Sequence, residues 1–423
     1  MAFAPCGEPE QMTETVDGHG KPPFDNGLAG GADRLKRFPL RLPAFHPSFC
    51  PTSGCLYWLR CASRPVEPEP VRTGGGKVWQ FRYPPIRPTH LEDRMQKSIY
   101  LPLVAGFALC ASGTSAQTPV LQVMTYDSFV SEWGPGPAIA AAFEQTCGCD
   151  LQFIGTGDGA ALLARLQLEG PRTEADIVLG LDTNLIAAAR ETGLFAPHRV
   201  TADLDLPITW DDPEFLPFDW GYFAFVGNAG AEAPISLRAL ADSDIRIVIQ
   251  DPRSSTPGLG LLMWVKTAYP DSAAELWADL ADNIVTVTPG WSEAYGLFLE
   301  GEADAVLSYT TSPAYHLIAE EDDSKVAWAF DEGHYMQVEV AAKVAGTDQP
   351  ELADQFLAFM VSDAFQSIIP ETNWMYPAVV PEGGLPAGFE TLITPATALL
   401  LSPEEAAAIR DVALDEWRNA LSQ

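Results

Sequence analysis

Basic residues are scarce: 25 Lys and Arg stand against 57 Asp and Glu in 423 residues, for a net charge of −32. Nucleic acid, anionic membrane surfaces and acidic substrates are disfavoured as partners, because each is repelled at long range. Cysteine is nearly absent from the acidic part, where only Cys147 and Cys149 occur. That excludes a disulfide framework, and Cys-Gly-Cys reads at most as a local staple in an oxidising compartment. Histidine is equally thin beyond residue 116. His198, His316 and His334 are scattered, no HExxH spacing exists, and metal catalysis has no support. No uncharged apolar run reaches the ~18 residues that a membrane span needs.

What is present divides the chain in two. Residues 1–94 hold 12 Lys and Arg, 10 Asp and Glu, 14 of the 36 prolines and 10 of the 34 glycines. No helical or strand period survives the prolines, so this stretch reads as an unfolded extension, or as sequence preceding the true start. Cys50, Cys55 and Cys61 with His46 match no standard zinc spacing. Residues 95–116 then have the three parts of a secretory signal peptide. Lys97 follows Met95, residues 99–109 are apolar and uncharged, and Thr114 and Ala116 are the small residues before a cleavage point. We therefore expect translation from Met95 and an exported mature chain from about Gln117. That mature part carries 12 Lys and Arg against 47 Asp and Glu.

The mature chain alternates strand and helix patterns. Apolar β-rich runs at residues 120–125, 151–154 and 176–179 are separated by helical patterns at 138–145 and 160–168. The third run is followed by a helix expected over 182–191. The alternation resumes with strands at 245–250, 284–287 and 305–308 and helices near 257–268, 273–281 and 292–300. The last third reads as helical at 350–361, 363–368 and 403–421. This order predicts an α/β protein with parallel sheets covered by helices. We expect two lobes: residues 117–222, then 223–336, then a return to the first lobe over 337–423. Residues 218–226 and 335–342 are extended and apolar, and are the expected crossovers.

Ligands of open α/β sheets bind at the carboxyl ends of strands, so the loops there carry the argument. Asp251-Pro-Arg-Ser-Ser-Thr-Pro-Gly-Leu-Gly260 places Thr256 as an N-cap before Pro257, beside Ser254 and Ser255. It reads either as an anion seat or as an ordinary capped helix. Tyr309-Thr310-Thr311-Ser312-Pro313 is a second hydroxyl-rich loop, and Gly155-Thr-Gly-Asp158-Gly159 supplies one carboxylate. Together they suit a ligand with a positive ring and a negative tail. Trp291 and Trp374 are cleft candidates, whereas Trp133, Tyr295 and Tyr376 fit core packing better. Aromatic faces hold flat cations with roughly 0.5–2 kcal/mol per ring.

Several long strings, in order, resemble the periplasmic thiamine-binding proteins of thiamine ABC transporters. They include Val123-Met-Thr-Tyr-Asp-Ser-Phe129 with Trp133-Gly-Pro-Gly-Pro137, Ala175-Asp-Ile-Val-Leu-Gly-Leu-Asp182 and Asp251 through Leu261. Gly290-Trp-Ser-Glu-Ala-Tyr-Gly-Leu-Phe298, Leu307 through His316, Glu332-Gly-His-Tyr335 and Asn373-Trp-Met-Tyr-Pro377 continue the match. The resemblance runs from about Val120 to the C-terminus and covers none of residues 1–94.

The resemblance implies the two-lobe periplasmic binding fold with a hinged cleft. It also implies capture of thiamine and its mono- and diphosphate for an inner-membrane permease and its ATPase. Carried over by motif, the ligand residues are Asp158, Gly159, Ser255, Thr256, Trp291, Tyr309, Thr310, Thr311 and Ser312, with Tyr126, Tyr315 and Trp374 as further cleft aromatics. No catalytic residue, metal or resident cofactor is expected, and a periplasmic monomer is the default. Two rival readings are an enzyme and a binder of another cationic solute. Thiamine-degrading enzymes of this fold use a cleft cysteine, but Cys147 and Cys149 follow a helix. Iron binders commonly use adjacent tyrosines, which are absent here.

Overall fold

The structure, a computed structural model, describes residues 118–422. The expected extension and signal segment therefore lie outside the described residues. Eight principal strands form one continuous path: β1 (Val120–Thr125), β2 (Asp150–Gly155), β3 (Ile177–Asp182), β4 (Leu216–Asn228), β5 (Ile247–Gln250), β6 (Ile284–Thr288), β7 (Ala305–Tyr309) and β8 (His334–Val344). Their order is β2-β1-β3-β8-β4-β7-β5-β6. The pairs β1/β2, β1/β3, β5/β6 and β5/β7 are parallel, whereas β8 and β4 run antiparallel to their neighbours. Every residue of β3 and β8 is buried, as continuous apolar runs covered on both faces should be.

The two long strands join the halves of the sheet. Residues 216–222 of β4 pair with β8, and residues 223–227 of the same strand pair with β7. The expected crossovers at 218–226 and 335–342 thus fall within these two strands, and β4 passes from pairing with β8 into pairing with β7.

The main helices are α1 (Gly136–Cys147), α2 (Gly159–Glu169), α3 (Thr256–Ala268), α4 (Ala273–Leu280), α5 (Trp291–Leu299), α6 (Pro313–Ala319), α7 (Pro350–Met360) and α8 (Pro403–Leu421). Local chemistry sets their ends. α1 starts on Pro-Gly-Pro and stops at Gly148, whose φ of 63° suits a residue without a Cβ. Cys147 and Cys149 flank that glycine and are joined as a disulfide. α8 opens with Ser402 and Glu405 in a reciprocal capping box and Pro403 in its first turn. It packs on α4, on α3 and on the short helix Ile186–Glu191 of the other half.

Two of the departures from the expected boundaries have a clear local cause. Asp182 ends β3 and does not begin a helix. Its carboxylate accepts from the Asn184 backbone N–H at 3.0 Å and from Asn184 Nδ2 at 3.1 Å. This side-chain turn delays the helix to Ile186. At α3 the N-cap is Ser255, not Thr256, which is already helical. The Ser255 hydroxyl makes no capping bond because it is directed elsewhere.

Candidate functional site

A cavity of about 530 Å³ opens beside the carboxyl ends of the strands and the two joining strands. Six of the nine principal candidates line it: Asp158, Gly159, Thr256, Trp291, Tyr309 and Ser312. So do the three further aromatics Tyr126, Tyr315 and Trp374. Ser255, Thr310 and Thr311 are buried and do not line it. Thr311 Oγ1 lies 3.6 Å from Met375 Sδ, and the Thr310 backbone N–H donates to the Tyr222 carbonyl at 2.9 Å.

Asp158 organises one side. As the N-cap of α2 it makes no capping bond, and its Oδ2 accepts from Ser255 Oγ at 2.7 Å and from the Trp291 backbone N–H at 3.1 Å. The carboxyl therefore sits at the N-terminus of α5, where the helix dipole favours negative charge. Burial nevertheless pushes its pKa up to about 6, against the pull of those two donors. The N-terminal hydroxyl expected to meet an anion is thus already paired with the chain's own carboxylate. Gly159 makes the approach possible: a Cβ there would lie 2.5 Å from Thr256 Oγ1 and 2.8 Å from the Gly180 carbonyl oxygen.

The aromatic walls are held by their edges. Trp291 Nε1 donates to Ser308 Oγ at 2.8 Å, and Ser308 Oγ in turn lies 2.7 Å from Ser312 Oγ. The Trp291 ring stacks on Tyr295 at 5.0 Å and lies 6.1 Å from the exposed Trp133. Tyr315 packs edge-on against Trp374 at 5.5 Å. Tyr309 accepts at its hydroxyl from Gln337 Nε2 at 3.0 Å, and Tyr126 is tied to Asn373 Nδ2 at 3.0 Å. Gly180 has φ 101°, and a Cβ there would come 2.2 Å from the Tyr126 ring, so only glycine seats this tyrosine.

Residue-type reasoning placed Tyr295 and Trp133 in the core, yet both line the cavity, whereas Tyr376 stacks on Trp220 at 4.6 Å away from it. Glu339 and Asn373 also line it without having been singled out. The signal for Glu339 was there: one acid inside the apolar run of β8.

His316, Glu320 and Asp322 bring ligand-type atoms within 4.8 Å of one another. Both ring nitrogens of His316 are already engaged, Nε2 with the Tyr295 hydroxyl at 3.0 Å and Nδ1 with Glu320 at 2.7 Å.

Comparison with known proteins places this geometry. Residues 135–372 match the family model of bacterial extracellular solute-binding proteins. The thiamine-binding periplasmic protein of Escherichia coli is 54% identical over 320 residues, covering 74% of this chain and 97% of that protein. Its counterpart from Brucella abortus is 49% identical over 323 residues, covering 75% and 97%. Among solved structures, a periplasmic thiamin binding protein matches with a TM-score of 0.71 at 54% identity, covering 73% of this chain and 98% of that one. A ferric binding protein from Campylobacter jejuni shares the fold with a TM-score of 0.59 at 17% identity, covering 71% and 99%.

Proposed function

Because the chain belongs to the family of periplasmic thiamine-binding proteins, we propose that it is the periplasmic receptor that captures thiamine for an ABC transporter. One observation carries the reading. The cavity combines flat apolar walls, from Trp291, Tyr295, Tyr315 and Trp374, with buried carboxyl groups at Asp158 and Glu339. A planar cation with an attached heterocycle is what such a lining holds, by stacking and by charge. The fold is the two-lobe type II binding fold, and we assign the lobes to residues 117–222 with 337–423 and to residues 223–336. The C-terminal helix α8 leans on both.

We further propose that the mono- and diphosphate are taken up, that the chain acts as a monomer on a membrane permease with its ATPase, and that it neither holds a cofactor nor performs catalysis. The last point is supported by the cysteines. Cys147 and Cys149 are paired with each other at the end of α1 and are absent from the cavity lining, so neither is a free nucleophile in the cleft. Calorimetric titration of the purified protein with thiamine, followed by analysis of the recovered ligand, tests the whole reading. One-to-one binding with intact vitamin is expected. Cleaved thiamine would make the protein an enzyme, and no heat would redirect the search to other cationic solutes.

A further inference from the structure

Glu339 and Asp219 face each other across β8 and β4, the two strands that join the halves of the sheet. Both are buried, and Glu339 lines the cavity with 6% of its surface exposed. Each uses one oxygen: Glu339 Oε1 accepts from Gln337 Nε2 at 3.3 Å, and Asp219 Oδ2 accepts from Asn373 Nδ2 at 2.6 Å. The other oxygens, Glu339 Oε2 and Asp219 Oδ1, have no hydrogen-bond partner, and neither does Gln337 Oε1. Buried oxygens left unpaired in this way are costly, and an occupant of the cavity is the obvious source of partners for Glu339.

We propose that Glu339 reads the aminopyrimidine edge of the ligand, with Asp219 and Gln337 holding its carboxyl in place. The inference rests on thiamine being the ligand. An aminopyrimidine presents a ring-nitrogen acceptor beside an amino donor. A neutral carboxyl presents an O–H donor beside a carbonyl acceptor, so the two edges form a pair of parallel hydrogen bonds. A carboxylate offers acceptors only and satisfies half of that edge. The surroundings keep the proton in place. Burial, and then the charge of Asp219, push Glu339 well above the usual carboxylate range, and Asp182 adds to this, while the nearby Tyr126 hydroxyl and the Gln337 amide pull the other way. None of these groups is a cation. Asp219 is raised to about 8, mainly by burial, so the pair retains a proton at neutral pH. The thiazolium ring has no such donor-acceptor edge. Its charge is matched better by Asp158, whose carboxyl, with a pKa of about 6, is ionised at neutral pH.

The test compares Glu339→Leu and Glu339→Gln with the wild-type chain by calorimetric titration, including competition titrations for weak ligands. The probes are thiamine, the free aminopyrimidine alcohol and an N-methylated hydroxyethylthiazolium. Glu339→Leu should weaken thiamine and the pyrimidine fragment at least tenfold and leave the thiazolium fragment within about twofold. Glu339→Gln, whose amide again offers a donor beside an acceptor, should stay within about fivefold of wild type for all three. Unfolding midpoints of both variants should not fall below wild type, since a buried carboxyl has been removed. A pyrimidine fragment that binds Glu339→Leu normally, or a thiazolium fragment weakened as much as the pyrimidine one, overturns the proposal alone. A wild-type chain that takes up neither thiamine nor a fragment overturns it together with the ligand reading.

Discussion

Two buried acid sites border the same cavity, and they are built in opposite ways. Asp158 is brought to donors: Ser255 Oγ, the Trp291 N–H and the N-terminus of α5 all favour its charged form. Asp219 and Glu339 are brought to each other, with unpaired oxygens on both. Burial raises the pKa in each case, but donors limit the rise at Asp158 to about 6, whereas Asp219 reaches about 8. Near neutral pH one site holds a charge and the other holds a proton. A single cleft thus offers a negative group for a cation and a neutral donor-acceptor group for a heterocycle edge. Burial alone does not fix what an acid does; its nearest donors decide.

The difference predicts how stability responds to pH. A carboxyl whose pKa is raised by folding keeps its proton longer in the folded chain than in the unfolded one. Its favourable contribution is complete below the unfolded value near 3.8 and is lost as pH rises through the folded value. For Asp219 that window runs from about 4 to about 8. The largest expected effect is therefore on Asp219→Asn, which should raise the unfolding midpoint by several degrees at pH 8 and have little effect at pH 4. Thermal unfolding at both pH values checks it. An equal shift at both values would mean that the pair carries no retained proton.

Asp158→Asn acts over a lower and narrower range. A rise from 3.8 to about 6 corresponds to about 3 kcal/mol of stability lost between those pH values. Between pH 4 and pH 7, denaturant titrations should show a smaller loss of stability in the variant than in wild type, by an amount of this order. If the variant loses as much as wild type, the step belongs to another group, and Asp182, also raised to about 6, is the first to examine.

Much of this was legible in the sequence. The β-α alternation, the crossover strands and the loops around Asp158, Trp291 and Tyr309 follow from apolar runs interrupted by Gly, Pro and hydroxyl residues, which are local signals. What escaped is non-local. Nothing near Ser255 says that its hydroxyl goes to Asp158, 97 positions away, instead of to a ligand or to its own helix. Nothing near Tyr295 separates a core ring from a cavity wall, because it is both: 6% exposed and still lining the cleft. Glu339 was visible as an acid in an apolar strand. Its meaning depends on Asp219 opposite, and that register exists only in the folded sheet.

Ligand affinity gives the next effect in size. Trp291→Ala removes the ring stacked on Tyr295 and the Nε1 donor to Ser308, while the backbone N–H to Asp158 survives. Thiamine binding should weaken at least tenfold, about 1.4 kcal/mol, with the pH dependence of stability unchanged. Unchanged affinity would place the ligand elsewhere in the cavity.

The effect that discriminates best between the two acid sites is of similar or smaller size. Ser255→Ala deletes the strongest donor that holds Asp158 down, and it leaves Asp219 and Glu339 untouched. The net loss of one such bond is about 1–2 kcal/mol at neutral pH, where Asp158 is charged and needs it. At pH 4, where Asp158 is protonated, most of that loss should vanish. The protonation midpoint of Asp158, followed by carboxyl-carbon NMR, should move upward from about 6 while the step assigned to Asp219 stays where it is. If both steps move together, the two sites are electrostatically one, and the division of labour between charge and proton fails.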